Sequence, residues 1–64
     1  MTQKELAYTE DAIGHEKSII SILEDSINKL EDEQLVSFMN SEVQNHVDTK
    51  ERLMNLLEEN VNEW

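Results

Sequence analysis

Three side chains of this sequence are of the types that hold transition metals in helical proteins: Glu16, Glu42 and His46. Carboxylates and imidazoles together suit iron and manganese, and they also accept zinc. Glu42 and His46 are four positions apart, so both side chains lie on the same side of a helix, one turn from each other. Glu16 is distant in sequence, and it joins them only if the chain folds back on itself.

The spacing of apolar residues predicts two helices joined by one reversal. Apolar residues of the first half recur every seven positions, at Leu6, Ile13, Ile20 and Ile27. This is a helical period, and the second half carries a similar stripe. The chain has no proline and one glycine, so few residues interrupt either helix. We expect helices over about residues 2–30 and about 33–63, with a turn at about 31–32.

Capping signals support these helix starts. Thr2 and Glu5 have the spacing of a capping box, in which each side chain accepts a hydrogen bond from the other residue's backbone N–H. Asp32 is a suitable N-cap for the second helix. Trp64 is expected to close the far end of the apolar core.

An antiparallel hairpin would bring the candidate ligands to nearly the same height. Glu16 lies about fifteen residues before the reversal and His46 about as far after it, so they become neighbours across the two helices. Glu42 would lie one turn nearer the loop, and Lys50 one turn further from it.

A single hairpin of this size is expected to need a second copy. The chain has 64 residues and no cysteine, so neither a large core nor a disulfide stabilises it. We predict an all-α protein with one domain over residues 1–64, an antiparallel two-helix hairpin dimerising into a four-helix bundle. The alternative is one continuous helix in a long coiled coil, which the weakened apolar pattern at residues 28–34 disfavours.

The polar side chains at mid-height have two interpretations. In the first, two copies of Glu16, Glu42 and His46 supply four carboxylates and two imidazoles to an intersubunit metal site, with iron or manganese expected ahead of zinc. In the second, they form a structural layer in which Glu16 pairs with Lys50 or with protonated His46, within or between chains. Such a layer fixes register and oligomeric state.

The charge excludes one class of partner. Fifteen acidic residues against five basic ones give a formal net charge of −10, which is opposite to what phosphate binding requires, so no nucleic acid is expected. No apolar run has the length of a membrane span, and the opening residues MTQKEL lack the features of a secretory signal peptide. No nucleophile, base and orienting group are arranged for hydrolysis, so we expect no catalytic residues and lean toward a protein without enzymatic activity.

Three segments resemble the small ferritin-like proteins that are associated with the spore coat in spore-forming Firmicutes: Lys4-Glu5-Leu6, the run from Glu10 to Lys17, and Asn45-His46. The resemblance implies half of a ferritin-like bundle, completed by dimerisation. Glu16 then matches the family's first glutamate and His46 its histidine. The family's second glutamate, three positions before the histidine, is Val43 here, and Glu42 lies one position earlier.

We therefore expect a non-enzymatic, acidic homodimer that acts by assembly or protein binding, with other spore-coat proteins as possible partners. The alternative is a ferritin-like dimer that binds iron or manganese and oxidises ferrous iron. The expected location is cytoplasmic or spore-associated.

Overall fold

The computed structural model describes residues 1–61, with side chains through residue 60. Helix α1 spans Gln3–Ile27 and helix α2 spans Glu33–Val61, and the two pack against each other as a helical hairpin. The predicted end of the second helix at about residue 63, and the predicted role of Trp64, lie outside the described residues.

Both predicted caps are present. The Thr2 N–H donates to Glu5 Oε1 at 2.8 Å, and the Glu5 N–H donates to Thr2 Oγ1 at 3.1 Å, which completes the capping box. At the start of α2, the N–H groups of Gln34 and Leu35 both donate to Asp32 Oδ1, at 2.9 and 3.1 Å. These bonds satisfy donors that have no partner inside the helix, so each helix has a defined start.

The reversal differs from the predicted turn at about residues 31–32, because α1 ends at Ile27 rather than at about residue 30. The connection therefore spans residues 28–32. Asn28 is the C-cap, and the next two N–H groups bond to carbonyls three residues back: Lys29 to Ser26 at 3.0 Å and Leu30 to Ile27 at 3.3 Å. These hydrogen bonds span three residues, as in a 3₁₀ turn, where an α-helix would span four. Leu30, at the end of this turn, is half-buried.

The apolar core of the hairpin is thin. Ile13 is the one buried residue among residues 1–60, with 8% of its surface exposed, and none of these side chains is fully enclosed. The hairpin measures 49 × 14 × 11 Å along its principal axes, so it is about one helix thick. Neither helix contains, within residues 1–61, an apolar stretch long enough for a membrane crossing.

Candidate functional site

Glu16 and His46 join the two helices near their midpoints. Glu16 Oε2 lies 2.5 Å from His46 Nδ1, and the side chains are 18% and 28% exposed. The contact follows from the fold, because the two residues are about equally distant from the 28–32 connection. Their common height was predicted from the sequence, and the structure brings them into direct contact.

When the Glu16 carboxylate is ionised, the ring nitrogen that faces it carries a hydrogen. An ionised carboxylate only accepts hydrogen bonds, so Nδ1 of His46 donates to an ionised Glu16. Nε2 is then free to accept a hydrogen bond in the neutral ring, or to donate one in the imidazolium form. The free nitrogen is therefore the one available for another ligand.

Glu42 lies on the other side of the imidazole ring. Its Oε2 is 3.9 Å from His46 Nε2, which is too long for a hydrogen bond but close enough for electrostatic attraction to a protonated ring. The two residues belong to successive turns of α2. His46 therefore lies between two carboxylates, one from each helix.

Lys50 is half-buried one turn further along α2, and the proposed pairing with Glu16 is not formed within the chain. Among residues 1–60, the contacts within 4.0 Å between a basic side-chain nitrogen and a carboxylate oxygen both involve His46. The Lys50 ammonium accordingly has no carboxylate at that distance within this part of the chain.

A metal site is not completed by one copy of the chain. No group of three histidine, cysteine, aspartate or glutamate residues within residues 1–61 is arranged to hold a metal ion. Glu16 and His46 are bonded to each other, and Glu42 reaches the opposite nitrogen of the ring. These donor types fit iron or manganese only if a second copy contributes further ligands.

One side of the hairpin carries large apolar side chains that no part of residues 1–60 covers. We call this side the open apolar face. It consists of exposed residues from both helices: Tyr8, Ile19, Leu35, Phe38 and Leu56. A projection at ~100° per residue places all five on one side of the hairpin, because α2 runs opposite to α1. Glu16, Glu42 and His46 lie toward the same side.

The sequence predicted an apolar stripe on each helix, but the prediction did not include a common open face formed by both helices. The signal was present in the sequence. To find the common face, the projection of α2 has to be reversed, because α2 runs antiparallel to α1, and then placed beside the projection of α1.

The chain was compared with protein-family models, with curated proteins and with solved structures, and none of them matches it. The resemblance to ferritin-like spore-coat proteins therefore stays a prediction.

Proposed function

We propose that this is a non-enzymatic, acidic homodimeric protein that acts by assembly or by binding other proteins. Two hairpins join through their open apolar faces and form a four-helix bundle. The single observation that carries the proposal is the thin core, in which Ile13 alone is buried among residues 1–60. Two helices cover only one side of each apolar stripe, and a second hairpin covers the other.

Burial of the open apolar face supplies the driving force. Phe38 is 60% exposed and Leu56 is 52% exposed in the single chain. Complete burial of a side chain of this size stabilises a protein by roughly 1.5–3 kcal/mol, and partial burial by a proportionate fraction. Burial of several such residues on one face favours dimerisation, and a chain of 64 residues with a thin core needs this additional stabilisation.

The polar layer sets how the two copies meet. Glu16, Glu42 and His46 lie toward the open apolar face, in the middle of its length. A polar group in an apolar interface favours the register that satisfies it and penalises the others. We propose that this layer specifies register and limits assembly to one arrangement.

Matched substitutions test this proposal. Phe38→Asn changes both copies of the dimer, and the exposed 60% of each side chain gives a combined loss of roughly 2–4 kcal/mol. The dimer dissociation constant is therefore expected to rise by about 20- to 500-fold. Met54→Asn is the control, because Met54 is also an exposed apolar residue of α2 but projects ~160° away from Phe38. Sedimentation equilibrium over a range of concentrations gives both constants. Equal effects of the two substitutions would contradict the proposed interface.

Metal binding is the second candidate function, and the position of His46 between two carboxylates favours it. A dimer would supply two copies each of Glu16, Glu42 and His46, a set suited to iron or manganese and less to zinc. Oxidation of ferrous iron is the reaction that such a pair of metals would support. The spore coat, with its other coat proteins, is the setting proposed from the family resemblance.

Elemental analysis of protein purified without chelator tests this second candidate. Stoichiometric iron, manganese or zinc that disappears in Glu16→Gln would support it. Glu10→Gln, at an exposed acid of the same helix, is the control and should retain the metal. A metal-free protein whose melting temperature does not respond to added iron or manganese would rule the site out.

A further inference from the structure

We propose that the two hairpins of the dimer pair with their loops at opposite ends. Helix α1 then packs against α1 of the partner copy, and α2 against α2, around a two-fold axis perpendicular to the helices. This inference rests on the proposed homodimer and adds its direction. The axis passes near the Glu16–His46 contact, which lies close to the middle of both helices and so gives the longest overlap.

The charges of α2 favour this direction. Relative to His46, Glu42 lies four residues toward the loop and Lys50 four residues away from it. Turning the partner end for end brings Glu42 of one copy to the height of Lys50 of the other. Lys50 has no carboxylate within 4.0 Å among residues 1–60 of its own chain, so the partner copy supplies the missing counter-charge.

The opposite direction leaves a charge against apolar groups. With both loops at the same end, α2 of the partner copy would lie over α1. Glu42 would then face Ile19 and Ile20, and burial of a carboxylate that has no hydrogen-bond partner there is costly. That direction would also bring His46 of the partner copy to the height of Glu16. Glu16, however, already has a hydrogen bond with His46 of its own chain.

The apolar side chains of α1 also lie opposite apolar side chains of the partner copy when the two α1 helices pack antiparallel. Counted from Glu16, Tyr8 and Leu23 lie at nearly equal distances in opposite directions, and so do Ala12 and Ile19. Tyr8 therefore meets Leu23 of the partner copy, and the small Ala12 meets the large Ile19. Alternation of small and large residues across an interface gives close packing without voids.

The apolar side chains of α2 show the same matching about His46. Leu35 lies opposite Leu56 of the partner copy, and Phe38 lies opposite Leu53. Apolar layers thus fill both ends of the bundle, and the polar layer stays in the middle.

A distance measurement on spin-labelled protein tests the direction. The chain has no cysteine, so Lys29→Cys gives one labelling site, on an exposed residue of the connection. With loops at opposite ends, the two labels are separated by about 39 Å along the bundle axis, from 1.5 Å per residue. Ser18→Cys, near the middle of α1, is the control, with an axial separation of about 6 Å in this arrangement.

The outcomes separate the two proposals. A long distance at residue 29 together with a short one at residue 18 supports the inference. Short distances at both positions mean that the loops share one end, which overturns the direction but keeps the dimer. Absence of dipolar coupling at Ser18→Cys, with a monomeric mass in solution, overturns the homodimer itself.

A charge exchange provides a second measurement that does not depend on labels. Glu42→Lys alone and Lys50→Glu alone are each expected to weaken the dimer by roughly tenfold, because each puts like charges opposite one another. The double variant should bind more tightly than either single variant, since positions 42 and 50 then again carry opposite charges across the interface. The two positions are two turns apart on one helix, so restoration reports contact between copies. If the loss of dimerisation free energy in the double variant equalled the sum of the losses in the two single variants, the proposed direction would be contradicted.

Discussion

Glu16 and His46 are 30 positions apart in the sequence, and a hydrogen bond of 2.5 Å between Oε2 and Nδ1 joins them across the hairpin. It is the one described side-chain hydrogen bond that links α1 to α2. It lies at mid-height and toward the open apolar face, where a second copy is proposed to bind. The contact therefore connects the fold of one chain with the proposed assembly of two.

A double-mutant cycle measures the strength of this contact. Glu16→Gln, His46→Gln and the combined variant should reveal a coupling of about 1 kcal/mol, which allows for the exposure of both side chains. Urea unfolding at one fixed protein concentration gives the four free energies. A coupling indistinguishable from zero would show that the hydrogen bond contributes nothing to stability.

Asp32 is predicted to fix the start of α2. Asp32→Ala leaves the N–H groups of Gln34 and Leu35 without a side-chain acceptor, so the free energy of unfolding should fall by about 1 kcal/mol. Glu31→Ala is the control, because it removes a neighbouring exposed acid that does not cap the helix. Thermal melting monitored by circular dichroism compares the two. A larger effect at Glu31 would contradict the assigned cap.

Glu5 is predicted to make the start of α1 sensitive to acid. The hydrogen bond from the Thr2 backbone N–H, followed by the Thr2 side chain, holds the pKa of the Glu5 carboxyl below its ordinary value. A lowered pKa in the folded state means that the stabilisation is present above the ordinary value of ~4.3 and is lost as pH falls through the lowered pKa. The first turn of α1 should fray in that acidic range.

An NMR titration of the Glu5 carboxyl carbon checks this prediction. Thr2→Pro, which removes both the backbone N–H and the hydroxyl, should move the pKa of Glu5 toward its ordinary value. The carboxyl of Glu10, further along α1, serves as an internal reference. If the pKa of Glu5 were the same with and without the threonine, the capping box would not be its cause.

Gly14→Ala is predicted to stabilise the protein. A Cβ at this position meets no atom within 4 Å, and alanine favours a helix over glycine by roughly 0.5–1 kcal/mol. Ala7→Gly, at an exposed position on the same side of α1, should have the opposite effect of similar size. Melting temperatures of both variants give the comparison. A lower melting temperature for Gly14→Ala would indicate that another chain packs closely at this position.

The elements with strong local signals were predictable. Thr2 and Glu5 satisfy each other within one turn, and Asp32 caps the helix that follows it, so neighbouring residues determine both helix starts. The common height of Glu16 and His46 followed from counting residues along two rigid helices. The count succeeded because residues 16 and 46 pair about residue 31, which lies within the predicted reversal. An error of one residue in the turn centre would have shifted the expected partner of Glu16 by two residues.

The end of α1 was predicted less well, since the apolar pattern continues to Leu30 and no glycine or proline marks the stop. The chain ends the helix at Ile27 with Asn28 as C-cap, and Leu30 turns inward from the connection. The sequence also did not predict that the Lys50 ammonium has no carboxylate within 4.0 Å among residues 1–60. The long, flexible side chain of Lys50 allows several partners, and periodicity does not choose among them.

Sedimentation equilibrium of the unmodified protein at micromolar concentration tests most directly whether a second hairpin completes the core. We predict a mass of twice the 7.5 kDa chain, with a melting temperature that rises with protein concentration. A species of 7.5 kDa that melts cooperatively at a temperature independent of concentration would contradict the proposed dimer.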